Sequence, residues 1–130
     1  MLVKAIAIID DETDLANLFK EALQMDGFRV RAFTDPKEAL NHIQKKPDEY
    51  TLVISDFKMP LMNGHVLCTK LMDLNPNLKI ILMSAYANIE CDISKFTVVH
   101  KPIPIARLLK IVKESLSEQK TIPELERFNQ

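Results

Sequence analysis

Cysteine is scarce in this chain, and long apolar runs are missing. Only Cys68 and Cys91 occur in 130 residues, and because they have no CxxC spacing, both are expected to be packing residues kept as thiols in a reducing compartment. A membrane span needs roughly 20 apolar residues, which the chain does not contain. The N-terminal apolar stretch is short and runs into two aspartates, which fits neither a signal peptide nor a membrane anchor, so we expect a cytoplasmic protein.

An excess of one charge is also missing. The chain has 17 Lys and Arg against 18 Asp and Glu, a formal net charge of -1, and 47% hydrophobic residues. This composition excludes a disordered chain and argues against a basic nucleic-acid-binding face or an acidic tail. The length fits one domain. We expect this domain to cover residues 1–118, with residues 119–130 forming a C-terminal tail or a short extra helix that starts at a capping-box motif at Thr121.

What the sequence does contain is an alternation of strand-like apolar runs with helical periodicity. The predicted strands are residues 2–9, 28–33, 51–55, 78–83 and 97–99, and the predicted helices are residues 11–25, 36–43, 64–74 and 104–116. Between Ser84 and Lys101 the helical spacing is weak, so another helix there should be short or irregular. Five strands alternating with helices predict a parallel sheet with right-handed crossovers.

Charged residues follow three of the predicted strands. Asp10 and Asp11 follow the first, Asp56 ends the third, and Lys101 follows the fifth. In α/β folds, ligands bind beyond the carboxyl ends of the strands, so these positions favour a chemical site. A structural interpretation also exists, because Asp11 could simply cap a helix, and single strand-ending aspartates and Lys-Pro pairs are common. The three histidines, His42, His65 and His100, have no ligand-like spacing and are expected at the surface.

The joint pattern resembles the receiver domain of two-component response regulators over residues 3 to about 116. The resemblance rests on the strand-end residues together with Met59-Pro60, Gly64, Glu38-Ala39-Leu40 and Ser84-Ala85. It implies a flavodoxin-like, doubly wound, five-stranded parallel sheet of strand order 2-1-3-4-5 with a short or irregular fourth helix. In that order the first and third strands are neighbours, which brings the three aspartates together.

Three close carboxylates repel one another by several kcal/mol per pair, which a divalent cation would relieve. Oxygen ligands without histidine or cysteine favour Mg²⁺. The resemblance implies that Asp11 and Asp56 bind the metal directly, that the Lys58 backbone carbonyl supplies a third oxygen, and that Asp10 acts through water.

The resemblance also implies that Asp56 accepts a phosphoryl group from a phosphohistidine, while Lys101 and the Ser84 hydroxyl contact phosphoryl oxygens. Receivers usually carry Tyr or Phe three residues before this lysine, as a switch that reports phosphorylation. Here that residue is Val98, so output by an aromatic rotamer in the fifth strand is not expected.

The expected function is therefore a phosphorylation-controlled signalling module rather than an enzyme with a separate substrate. Its expected partners are a sensor histidine kinase or a histidine phosphotransfer protein and an unidentified downstream protein, with no direct nucleic-acid or membrane binding and a monomeric or weakly dimeric state. The chain could be a stand-alone receiver or part of a longer protein. Two alternatives stay open: a phosphorylation-independent interaction domain, and a phosphatase of the haloacid dehalogenase type, although the DxD motif of that family is absent from Asp10-Asp11-Glu12.

Overall fold

The computed structural model describes residues 4–85 and 96–128. The elements follow in the order β1 (Ala5–Ile9), α1 (Thr13–Met25), β2 (Val30–Phe33), α2 (Pro36–Lys45), β3 (Tyr50–Asp56), α3 (Gly64–Leu74), β4 (Lys79–Ser84), β5 (Thr97–His100) and α4 (Ile105–Phe128). The weakly patterned helix expected between β4 and β5 falls mostly on residues outside the described ones. In the described part, no helix combines the length and the apolar character needed to cross a bilayer.

The five strands form one parallel sheet of order β2-β1-β3-β4-β5, which confirms the predicted topology. The register aligns the carboxyl ends of the strands along one edge. Ile9 pairs with Ser55, Asp56 pairs with Met83, and Ser84 pairs with His100. Residues that directly follow these positions therefore meet at the same edge.

The sheet is covered by apolar side chains on both faces, which explains the nearly continuous apolar runs of its central strands. All five residues of β1 are buried, with Ala5, Ala7 and Ile9 in one core cluster and Ile6 and Ile8 in the other. Each buried isoleucine contributes roughly 1.5–3 kcal/mol by leaving water. The edge strand β2 is less buried, since Val30 and Ala32 are half-buried, Arg31 is exposed and only Phe33 is buried.

Local signals set most helix ends. The Asp35 carboxylate accepts a hydrogen bond from the Lys37 backbone N–H at 2.9 Å, with Pro36 as the first residue of α2. Gly27 has a φ of 97° just beyond α1, a conformation that strongly favours glycine. Both agree with the predicted start of α2 and end of α1.

The last helix differs from its prediction. It runs without interruption to Phe128 instead of ending at Leu116 and restarting at Thr121. Residues 114–120 contain neither glycine nor proline and include several strong helix formers, so no local signal stops the helix there. The domain boundary near residue 118 stays a prediction.

Of the histidines, His100 is exposed as expected, whereas the side chain of His42 is half-buried. Its ring packs against those of Phe33 and Tyr50, with centroid distances of 5.4 and 5.7 Å. His42 Nε2 lies 2.8 Å from the Tyr50 hydroxyl and 3.7 Å from Glu49 Oε2. Sequence spacing alone does not reveal this cluster, because its members belong to β2, to α2 and to the start of β3 with the residue before it.

Candidate functional site

The acidic residues predicted at the strand ends lie together. Asp10 and Asp11 follow β1, Asp56 is the last residue of β3, and one carboxylate oxygen from each lies within 4.8 Å of the others. Asp10 is fully buried, Asp56 is 7% exposed and Asp11 is exposed. Because β1 and β3 are neighbours in a parallel sheet, the topology itself produces this cluster.

Lys101 provides the cation next to the two buried carboxylates. Its Nζ lies 3.2 Å from Asp56 Oδ1 and 3.4 Å from Asp10 Oδ2. The Lys101 backbone N–H donates to the Ser84 carbonyl at 2.7 Å, and the Lys101-Pro102 bond is cis. This backbone bond ties the segment after β5 to the end of β4 and holds the lysine side chain over the site.

Burial and charge act in opposite directions at these groups. Burial raises the pKa of Asp10, although the Glu12 N–H and the Lys101 cation oppose it. Burial raises the pKa of Asp56, the Asp10 carboxylate raises it further, and Lys101 works against both. For Lys101, burial alone would lower the pKa, but Asp10 and Asp56 outweigh it and the net pKa is raised. The two carboxylates thus favour the charged form of Lys101, while burial disfavours the charged forms of Asp10 and Asp56 more than Lys101 favours them.

Comparison with known proteins identifies the group to which this arrangement belongs. A family model described as "Response regulator receiver domain" matches residues 6–113. The chain belongs to this family. The resemblance read from the strand-end residues is therefore confirmed, as is the fold that it implied. Receiver domains accept phosphoryl groups from histidine kinases or phosphotransfer proteins.

Individual relatives of this receiver domain agree with that assignment. The C4-dicarboxylate transport transcriptional regulatory protein DctD of Rhizobium meliloti is 28% identical over 92% of the chain, which spans 27% of DctD. A crystal structure of a CheY-like receiver domain protein from Methanospirillum hungatei is 30% identical with a TM-score of 0.83, covering 92% of this chain and 98% of that one. The response regulator protein TrrA of Thermotoga maritima, crystallised with Mg²⁺-BeF, is 30% identical with a TM-score of 0.76, covering 86% and 98%.

The donor set of the receiver site fits a hard divalent cation. Three carboxylates surround the position and one lysine partly balances them, so negative charge remains in excess. The raised pKa values of Asp10 and Asp56 show that the two buried carboxylates are under-compensated without a further cation. Carboxylate oxygens are the ligands that Mg²⁺ prefers in proteins.

The helix-capping interpretation of Asp11 does not agree with the structure. The N-cap of α1 is Glu12, whose side chain makes no capping hydrogen bond. The Asp10 carboxylate instead accepts a hydrogen bond from the Glu12 backbone N–H at 3.0 Å. Asp11 therefore has no role at the helix start that would explain its carboxylate, and it lies within the acidic cluster.

The other predicted site residues lie at the same end of the sheet. Ser84 is the last residue of β4, is 1% exposed, and follows the residue that pairs with Asp56. Lys58 is exposed two residues after β3, in the loop that leads to α3. Their contacts with a metal or a phosphoryl group stay predictions.

Sequence reasoning used Gly64 only as part of a motif and missed what it does for the site. A Cβ atom added to Gly64 would overlap the Asp56 carbonyl oxygen and would lie 3.1 Å from both the Asp56 carbonyl carbon and Leu82 Cδ2. The Gly64 N–H donates to the Phe57 carbonyl at 2.6 Å, and the Ser55 hydroxyl donates to the Asp56 carbonyl at 3.0 Å. The start of α3 therefore packs directly on the backbone that carries Asp56. In the sequence, this close approach of two backbone segments is indicated only by the glycine at the start of a predicted helix.

Proposed function

We propose that Asp56 accepts a phosphoryl group from the phosphohistidine of a sensor histidine kinase or a histidine phosphotransfer protein, in a reaction that requires Mg²⁺. One observation carries this proposal: the Asp56 carboxylate lies at the end of β3, 3.2 Å from Lys101 Nζ and within 4.8 Å of two further carboxylates. In this proposal Asp56 is the nucleophile, Lys101 is one fixed cation, and the neighbouring carboxylates are ligands for a second.

In the proposed step, an oxygen of Asp56 attacks phosphorus while the bond between phosphorus and the donor's imidazole nitrogen breaks. The imidazole leaves as the neutral ring after taking up a proton. When bound, Mg²⁺ neutralises charge on the phosphoryl oxygens. Asp11 and Asp56 would hold the metal with the Lys58 carbonyl, and Asp10 would orient it through water. Lys101 would exchange its contact with Asp56 for a phosphoryl oxygen, and the Ser84 hydroxyl would donate to another.

Because the pKa of Asp56 is raised, Lys101 and Mg²⁺ would have a second role besides contacting the phosphoryl oxygens. The carboxylate must be ionised to attack, but its burial and the neighbouring Asp10 favour the protonated form. Lys101 opposes that effect, and Mg²⁺ would oppose it further. We therefore expect the reactivity of Asp56 to depend on both cations.

A surface for the phosphodonor lies next to these groups. An apolar cavity of about 340 Å³ opens beside Lys101 and is lined by Leu15 and Phe19 of α1, by Ala85 and by Ile103. It would accommodate apolar side chains of the donor protein while the reacting groups meet at its rim. The downstream partner stays unidentified, and we propose that the acyl phosphate changes its affinity by shifting a pre-existing equilibrium.

Signalling output from this site would not use an aromatic residue in β5. Val98 occupies that position and is 37% exposed. The proposed route starts at Ser84, which is drawn towards the phosphoryl group and carries Ala85 with it. The only catalysis that we propose is autophosphorylation and hydrolysis of the chain's own acyl phosphate, in the cytoplasm where kinases use ATP.

Intact mass measurement tests the proposal. The protein is incubated with Mg²⁺ and acetyl phosphate, and one phosphoryl mass is expected on the wild type and on Asp73→Asn, which changes an exposed aspartate on α3. Asp56→Asn is expected to remain unmodified. Persistence of the added mass in Asp56→Asn would reject Asp56 as the acceptor. If the wild type took up no phosphoryl group from acetyl phosphate or from a phosphohistidine donor, a phosphorylation-independent interaction domain would be the better interpretation.

A further inference from the structure

A second cavity lies at the opposite end of the sheet, where the strands begin. Its volume is about 570 Å³. We call it the basic pocket, and its charged lining consists of Lys4, Arg29, Lys45, Lys46, Asp48 and Glu49. Because β3 has seven residues, the basic pocket lies roughly 20 Å from Asp56 along the strand direction. It shares no residue with the phosphoacceptor site.

Backbone hydrogen bonds hold the lining of the basic pocket in place. The Ala5 N–H donates to the Glu49 carbonyl and the Ile6 N–H donates to the Arg29 carbonyl, both at 2.8 Å. The Glu49 N–H donates to the Lys46 carbonyl at 3.1 Å. These bonds connect the start of β1 to the residues before β2 and to the loop after α2, so the lining residues belong to one hydrogen-bonded frame.

The charge of the basic pocket departs from that of the whole chain. Four cations face two acids there, although the chain carries a formal net charge of -1. Among the residues that the structure describes, Lys4, Lys45 and Lys46 make no ion pair. The dipole of α2 favours cations at Lys45 and Lys46 near its end. It does not account for Lys4 and Arg29, which precede β1 and β2.

A neighbouring cavity extends the positive surface. It has a volume of about 320 Å³, and Arg29 and Glu49 line it as well. It adds the cations Lys20 and Arg31. Cations from α1, from β2 and from the loop before β2 thus face the same side of the molecule as those of the basic pocket.

We propose that the basic pocket binds a nucleoside di- or triphosphate. Lysine and arginine are the side chains that bind phosphate groups most strongly, and several of them converge here. The volume lies within the range of small-molecule sites. Asp48 and Glu49 would repel a purely anionic ligand, but their carboxylates accept hydrogen bonds from ribose hydroxyl or base amino groups. The two kinds of residue together suit a ligand that carries both phosphate groups and neutral hydrogen-bond donors.

Titration of the whole chain with ATP and GTP tests this inference, with amide NMR shifts locating the site. EDTA in the buffer keeps the acidic cluster from recruiting the ligand through a metal. We expect shifts at Arg29, Lys46 and Glu49, and an affinity at least tenfold lower in the double variant Arg29→Gln, Lys46→Gln. The matched control Lys70→Gln, Lys110→Gln removes the same charge from exposed positions outside the pocket and should change the affinity less than twofold.

Inorganic tripolyphosphate separates phosphate binding from nucleotide binding. We expect tripolyphosphate to bind more weakly than ATP to the wild type, and Glu49→Gln should narrow that difference in affinity because it removes a repelling charge and replaces one acceptor oxygen with a donor NH₂ group. The inference is overturned if neither nucleotide shifts the lining residues, if tripolyphosphate binds as tightly as the nucleotides, or if the control variant loses as much affinity as the pocket variant. Phosphorylation of Asp56 by acetyl phosphate should be unchanged in both double variants, so the outcome is independent of the proposed phosphoacceptor function.

Discussion

Substitution of Gly64 by alanine tests whether the packing of α3 positions the phosphoacceptor. Gly64, unlike Gly27, does not have a positive φ, so alanine is not disfavoured there by a left-handed backbone. The added Cβ would instead overlap the Asp56 carbonyl oxygen and approach the Asp56 carbonyl carbon to 3.1 Å. Both neighbours belong to the main chain and cannot swing aside as the end of a flexible side chain would.

The size of the effect follows from this overlap. To restore van der Waals contact, the start of α3 and the Asp56 peptide must separate by roughly 1 Å. Overpacking of this kind costs roughly 1–3 kcal/mol of stability. A misplacement of about 1 Å at a reacting group lowers rates on the order of 100-fold. We therefore expect a folded protein whose phosphorylation by acetyl phosphate is slower by about two orders of magnitude.

Gly27→Ala provides the matched control. Gly27 has a φ of 97° and no atom within 4 Å of an added Cβ, so alanine there strains the backbone by about 1 kcal/mol without touching the site. Stopped-flow or mass-based phosphorylation rates are compared with unfolding free energies from urea titration. If Gly64→Ala phosphorylates within twofold of wild type while it remains folded, or if Gly27→Ala slows the reaction equally, the positioning role of α3 is wrong.

Three further substitutions test the charges described above. Without Mg²⁺, Lys101→Met should lower the unfolding free energy at pH 7 by about 3 kcal/mol, since it leaves buried carboxylates uncompensated. This loss of stability should shrink towards pH 4, because carboxyl groups with a raised pKa bind protons more tightly in the folded state. Lys110→Met, at an exposed position, should show neither effect. Asp11→Asn changes an exposed carboxylate and should alter the unfolding free energy by no more than about 0.5 kcal/mol. Calorimetry should nevertheless show that the Mg²⁺ affinity is reduced at least about tenfold, and an unchanged affinity would remove Asp11 from the ligand set. Burial, followed by the Arg31 cation, lowers the pKa of His42, so the neutral ring is favoured beside the Tyr50 hydroxyl. The stability advantage of wild type over His42→Asn should therefore decline as the pH falls below about 6.5, and an advantage that is constant between pH 8 and pH 5 would contradict this.

The predictions from the sequence agree best with the structure where a local sequence pattern coincides with burial on both faces of the sheet. The apolar run of β1 is buried throughout, and the Asp35-Pro36 pair starts α2 as predicted. Where the sequence carries no local signal, the predicted bounds of an element were wrong or imprecise. The end of α4 is one example, since nothing in residues 114–120 opposes helix formation and the expected break at Leu116 does not occur.

By itself, the sequence determined the order of strands and helices and the polar residues at the strand ends, because these depend on patterns within a few neighbouring residues. The polar residues at the strand ends in turn indicated the candidate chemistry. Tertiary structure alone decided the contacts between distant segments. It set the 3.2 Å between Lys101 and Asp56, the close approach of Gly64 to the Asp56 carbonyl, and the packing of His42 against Tyr50. It also gathered Lys4, Arg29 and Lys46 around one pocket. Such distances depend on strand register and on helix packing across the sheet, and no local spacing in the chain encodes them.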